Sequence, residues 1–199
     1  MTRWPVLLCA LFLAAGVFAQ DEEPPNGLLL VAKPGLPDPR FRDTVVLVTQ
    51  TADAQTVGVI LNRPTRRKLS EIVAEDALAR NYADAVFAGG PVMERTLVAL
   101  FRSGSAPAAS SFHVLKGLYL SMHPAAIEPL LRQAGGGYRV YSGFSAWAPG
   151  QLESEMQSDS WYVLPATEEL VFRRDTSGMW RELVERALGR RAGGDILDS

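Results

Sequence analysis

The chain has 199 residues, 47% of them hydrophobic and 21% charged, with a formal net charge of -2. That composition belongs to an ordinary globular domain with a substantial core and points away from disordered chains and repeat arrays. The missing basic excess also argues against nucleic acid as the main partner, since binding a phosphate backbone needs a cationic footprint.

The first twenty residues stand apart. Arg3 supplies a positive start, Pro5 to Phe18 is nearly all apolar, and Val17-Phe18-Ala19 precedes Gln20 and the acidic Asp21-Glu22-Glu23. This is the pattern of a secretory signal peptide over residues 1–20, cut after Ala19 or Gln20. The run is short of the roughly 20 apolar residues of a membrane span. The expected product is periplasmic or secreted, with no membrane span after cleavage; a membrane anchor left by an uncleaved signal is the alternative. Cys9, the sole cysteine, would leave with the signal and lacks the small residues just upstream that a lipoprotein site requires, so disulfides and thiolate chemistry are not expected.

Residues 21–27 (DEEPPNG) read as a flexible leader, and an α/β pattern follows. Leu28 to Ala32 has the length of a buried strand, and Asp38-Pro39 the look of a brief helical turn. TVVLVT (44–49) and TVGVIL (56–61) read as a hairpin across residues 52–55. Leu69, Ile72, Val73 and Ala77 predict an amphipathic helix over residues 70–80. Strands are expected over 85–88, 96–102 and 118–121, and a helix over 124–133 with His123 capping or flanking it and Gly135 just past its end. Gly135-Gly136-Gly137 is then a turn before an alternating strand at 138–141. A short helix burying Leu152 and Met156, a strand at 161–164 and a helical turn at 168–172 come next. The last helix carries the stripe Met179, Trp180, Leu183, Val184, Ala187 and Leu188, docks through Trp180, and places Glu182 to pair with Arg186. Residues 189–199 read as a disordered tail.

Catalytic signatures are missing. Gly143-Phe144-Ser145-Ala146-Trp147 lacks the final glycine of a nucleophile elbow. The two histidines, His113 and His123, have no metal-ligand spacing, and no phosphate-loop or dinucleotide motif occurs. No catalytic residue, metal or cofactor is therefore assigned. Glu153 and Glu155 are better read as partners of a helix dipole than as an acid/base pair. The cluster Arg63, Arg66, Arg67, Lys68 is either a solvated loop or a seat for an anion or an acidic partner.

Five motifs occur in order: Lys33-Pro34-Gly35 to Asp38-Pro39-Arg40-Phe41; Gly58 with Leu61-Asn62-Arg63-Pro64; Gly89-Gly90-Pro91-Val92; Gly143 with Trp147 and Gly150-Gln151-Leu152-Glu153; and Trp161, Phe172, Trp180. Together they resemble the bacterial YqgE/AlgH family over residues 28 to 187. The resemblance implies one compact α/β (α+β) domain over residues 28–188, with a mixed, strongly curved sheet flanked by helices. It implies little about activity, because the family is largely uncharacterised. The transcriptional-regulator label carried by some members finds no helix-turn-helix or basic helix here. Most members lack a signal peptide, and where many have a histidine after the Gly-Gly-Pro strand this chain has Arg102.

The candidate ligand- or partner-binding residues are Asn62, Arg63, Arg66, Gly89, Gly90, Pro91, Gly143, Trp147, Gln151 and Glu153. In the functional reading Trp147, Gln151 and Glu153 line a groove with the glycine loop, whose bare backbone admits a ligand. In the structural reading residues 142–153 are a packed strand-loop-helix junction lidded by Trp147. The expectation is a non-enzymatic binding or regulatory module of the cell envelope with an unknown protein or small-molecule partner. The alternatives are a small-ligand enzyme using that groove and, third, a transcriptional regulator.

Overall fold

A computed structural model describes residues 25–73, 82, 84–133 and 137–194, with only the backbone described for 190–194. The expected signal peptide, most of the leader, and Gly135 and Gly136 lie outside the described residues.

Among the described residues nine strands form one sheet: β1 (Leu28–Ala32), β2 (Val45–Gln50), β3 (Thr56–Ile60), β4 (Phe87–Ala88), β5 (Val92–Arg102), β6 (Phe112–Leu115), β7 (Leu118–Ser121), β8 (Tyr138–Trp147) and β9 (Trp161–Pro165). The helices are α1 (Pro124–Arg132), α2 (Gln151–Gln157), α3 (Glu168–Val171) and α4 (Met179–Gly194), with a 3-10 turn at Leu69–Glu71. The spatial order is β6-β7-β5-β8-β3-β2-β1-β9, with β4 beside β8. Every pairing is antiparallel except β4 on β8, so the sheet is mixed and the fold is α+β. It is also curled: Gly27 N donates to Val114 O at 2.8 Å, bringing the β6 end round to the start of β1.

The β2–β3 hairpin forms with Val46 opposite Ile60 and Val48 opposite Gly58. Its β-branched residues suit a pleat covered on both sides, and nearly all are buried. One apolar cluster gathers Leu29, Leu47, Val59, Leu100 and Tyr141 with Met179 and Leu183 of α4. A second packs Ile127 and Leu131 of α1, with Leu69, on Ala99, Phe101 and Val140. A third joins Leu30, Val46, Ile60, Phe41, Trp147 and Trp161 to Leu152 of α2. Each large aliphatic side chain so enclosed contributes roughly 1.5–3 kcal/mol.

Several elements depart from the sequence reading. The expected 70–80 helix is represented by the turn at Leu69–Glu71, and its remainder from residue 74 lies outside the described residues. β5 begins at Val92, because exposed Met93, Glu94 and Arg95 still carry the backbone along β8 through an irregular register. β6 was not foreseen; its half-buried Phe112 and His113 give a weak apolar signal.

The largest difference is at β8. It does not alternate over 138–141, where every residue is buried, and it runs on through Trp147 instead of turning at Gly143. Tyr138 to Ser142 pair with β5, and Ser145 to Trp147 pair with β3, so one strand joins both halves of the sheet. Gly143, at φ +74°, lies between the two stretches, and Phe144 after it still pairs with Val92 of β5.

On α2, Leu152 is buried but Met156 is exposed, and the residue before the helix is Gly150 at φ +78°. α4 continues to Gly194, past the expected end at residue 188; Leu188 is exposed. Trp180 is half-buried, its indole N–H donating to Ala32 O at 2.7 Å. Glu182 pairs with Arg173 in place of Arg186, at 2.5 and 3.0 Å, tying α4 to the segment after α3.

Candidate binding site

After a turn at Leu61 and Asn62 the chain runs extended over residues 63–65. Arg63 O accepts from Ala88 N and Thr65 N donates to Val86 O, both at 2.9 Å, while Pro64, which has no N–H to give, bridges Phe87. In an extended segment alternate residues share a face. Arg63 and Thr65 therefore turn to one side, where with Arg40, Gly90, Glu94 and, past a bend at Arg66, Arg67 they line a cleft of about 260 Å³.

The cleft is cationic, and two of its three arginines are held by their neighbours. Arg63, half-buried, donates to Arg42 O at 3.0 Å and to Arg40 O, so backbone carbonyls hold it. Burial lowers its pKa first of all, with Asp43 and Asp38 acting in the opposite sense. Arg40 grips Asp38 through Nε at 3.0 Å and a terminal nitrogen at 2.7 Å. That hydrogen bond holds the Asp38 carboxyl below its ordinary range, against the opposing effect of burial. Arg67 donates its backbone N–H to Thr65 Oγ1 at 3.2 Å, and its guanidinium meets no carboxylate among the described residues.

Arg63, Gly90 and Pro91, expected together, do meet here. Arg66 lines a neighbouring depression with Lys68 and Asp84, which Thr65 and Arg67 also border. Asn62 is occupied structurally: its Oδ1 accepts from Val45 N and its Nδ2 donates to Asp43 O, both at 2.9 Å.

The glycine loop admits the protein's own strand. A Cβ on Gly89 would lie 2.2 Å from Gly143 O, and one on Gly90 would lie 2.3 Å from both Phe144 O and Ser145 Oγ. Gly143 is thus the other side of the same close approach. Ser145, the serine of the near-miss elbow, donates Oγ to Gly89 O at 3.2 Å.

The groove expected from Trp147, Gln151 and Glu153 is filled. Trp147 is 2% exposed, stacked on Phe41 at 5.6 Å and edge-on to Trp161 at 6.2 Å. One oxygen of Glu155 accepts from both indoles, at 3.0 Å from Trp147 and 2.9 Å from Trp161, and the other accepts from Gln151 Nε2 at 3.1 Å. Gln151 Oε1 accepts from Ala148 N, and Glu153 is exposed on α2. Glu155 was overlooked as an anchor; the signal for it was two tryptophans, six and eight residues away, whose N–H groups need an acceptor once buried.

The histidines also have local roles. His123 caps α1, its Nδ1 accepting from Ala125 N at 3.2 Å, and His113 stacks on Tyr119 at 4.8 Å. Among the described residues no group of three His, Cys, Asp or Glu could hold a metal ion. The chemistry this cleft supports is recognition of an anion by fixed guanidiniums.

A family model described as AlgH-like (DUF179) matches residues 29–192. A UPF0301 protein of Thermobifida fusca is 36% identical over 184 residues, covering 86% of this chain and 88% of that one. One from Streptomyces coelicolor is 34% identical over 168 residues, covering 82% and 87%. Among solved structures, the solution structure of AlgH from Pseudomonas aeruginosa superposes with a TM-score of 0.62, covering 74% of this chain and 80% of that one. A crystal structure from Corynebacterium diphtheriae gives 0.65, covering 83% and 88%. Each of the two is 24% identical to this chain, and the likeness is one of fold. The chain belongs to the AlgH-like, UPF0301 family.

Proposed function

We propose that this AlgH-like protein is a non-enzymatic binding module, exported to the periplasm or beyond, that receives an acidic group of its partner in the Arg40–Arg63–Arg67 cleft. The observation that carries the reading is the state of the three guanidiniums. Arg40 is paired with Asp38, whereas Arg63 is held in place by backbone carbonyls and exposed Arg67 has no carboxylate among the described residues, so the cleft keeps positive charge beyond its one ion pair. A fixed guanidinium gives up little rotamer freedom on binding, which favours it over a solvated lysine of equal charge. Asp38 and Glu94 limit the excess charge, which suits a carboxylate-bearing segment better than a nucleic-acid backbone. Support for export is the charged start, apolar run and small-residue cut of residues 1–20.

Two measurements test it. Cells expressing a C-terminally tagged chain are fractionated and the recovered protein weighed intact. A periplasmic or secreted product beginning near Gln20 or Asp21 supports export; a cytoplasmic product retaining Met1 overturns it. The tagged chain is then titrated with a fluorescent oligoglutamate peptide. Binding that weakens with salt and falls about fivefold or more in Arg67→Ala supports the cleft. Affinity unchanged by that substitution removes the cleft from the proposal.

A further inference from the structure

Beneath β4, on the far side of the extended segment from the first cleft, lies a second and larger one of about 390 Å³. Its floor is Arg139 of β8, only 7% exposed. The two terminal nitrogens of Arg139 donate to Val171 O at 2.8 Å and Arg173 O at 2.7 Å, and its guanidinium lies 4.5 Å from the centre of the Phe87 ring. Its hydrogen-bond partners are carbonyls, and among the described residues no carboxylate forms an ion pair with it. A buried cation is ordinarily matched by a buried anion, because desolvation is otherwise uncompensated. Tyr141 does not supply one: burial raises its phenol pKa and keeps it neutral.

The remaining lining sharpens the chemistry. Arg174, exposed at the rim, meets no carboxylate among the described residues, whereas Arg102 is already paired with Glu168 and lies over Phe172 at 3.9 Å. Asp84 is the lone acid in the lining. Phe87, Phe172 and Tyr138 form aromatic walls, which the first cleft lacks. The volume falls at the small end of ligand pockets, of the order of 300–1,000 Å³.

We infer that this second cleft binds a small aromatic anion, a ring bearing a carboxylate or phosphate, with the ring against Phe87, Phe172 and Tyr138 and the charge toward Arg139 and Arg174. The site is separate from the acidic-partner cleft, and either assignment can fail without the other. The aromatic walls account for the ring, and the buried guanidinium and its unmatched charge account for the anion. The Arg102–Glu168 pair closes one side and keeps a third full positive charge from drawing in highly charged polymers.

The test is calorimetric titration of the full chain with phenyl phosphate, benzoate and inorganic phosphate, repeated on Arg174→Ala, Phe172→Leu and Arg67→Ala. Arg174 is exposed, so its removal leaves the fold intact, and each variant's melting curve is recorded as a check. The expected result is saturable binding of at least one aromatic anion, about tenfold tighter than inorganic phosphate. That binding should weaken about tenfold in Arg174→Ala and several-fold in Phe172→Leu, and stay unchanged in Arg67→Ala. The ratio of benzoate to phenyl phosphate affinity then identifies which head group the cleft prefers. No saturable binding of either aromatic anion, inorganic phosphate binding equally well, or indifference to Arg174→Ala each overturns the proposal. Loss in Arg67→Ala alone would place the probe in the first cleft and overturn it as well.

Discussion

Near α2, two indole N–H groups share one carboxylate oxygen of Glu155, and Gln151 takes the other. Past the end of β3, Arg63 is held by carbonyls while Arg67 has no carboxylate among the described residues. Both regions combine polar and charged side chains with tight turns, and both looked like binding surfaces in the sequence. In the first the chain satisfies its own donors and closes the space with Phe41 and Trp161; in the second it orders the donors and leaves the space open. Residual hydrogen-bonding and charge capacity, more than residue type, separates a site from a corner.

That contrast can be broken by substitution. Trp147→Ala should cost about 3–5 kcal/mol of unfolding free energy in a denaturant titration, because it empties the centre of an aromatic cluster. A loss under about 1 kcal/mol would mean that Trp147 spends its time outside the core. Glu155→Ala should cost about 1–3 kcal/mol by the same measurement, since two buried indole donors lose their acceptor. It should also shift tryptophan fluorescence.

Smaller effects sharpen the comparison. Arg173 holds the Glu182 carboxyl below its ordinary value of 4.5. A carboxyl lowered in the folded state binds protons less readily there than when unfolded, so its contribution is complete above about pH 4.5 and is lost as pH falls through the lowered value. The denaturation midpoint should therefore drop on acidification below that point, and Glu182→Gln should flatten the dependence slightly, as befits an exposed group. Last, Arg67→Ala should move stability by no more than about 0.5 kcal/mol while weakening oligoglutamate binding. A large destabilisation would place Arg67 with the closed region.

What the sequence revealed follows the same division. The β2–β3 hairpin was legible because Val45 to Thr49 and Thr56 to Ile60 are mostly β-branched, and all of them are buried. The AlgH-like family and its α+β sheet were legible from motif order. Only the start of β8 was: Gly143 and Pro149 look like the ends of a corner, and only long-range pairing with β3 reveals that the first lies inside a continuing strand. Arg40 was missed as a site residue, and Arg67 was noted only within the basic cluster of residues 63–68, for a related reason. Their convergence needs residues 63–65 to run beside β4, and the basic composition of that segment carries no periodic apolar signal. Trp147 was misplaced because its burial depends on Phe41, far away in the chain.

The pairing of β1 with β9 has a temporal consequence. Leu28 meets Pro165 and Ala32 meets Trp161, so the first strand of the domain cannot complete its edge until the last strand exists. Such distant contacts must close long loops before they stabilise anything, and chains built this way fold slowly. During synthesis the edge that β1 shares with β9 therefore stays open until residues 161–165 have emerged.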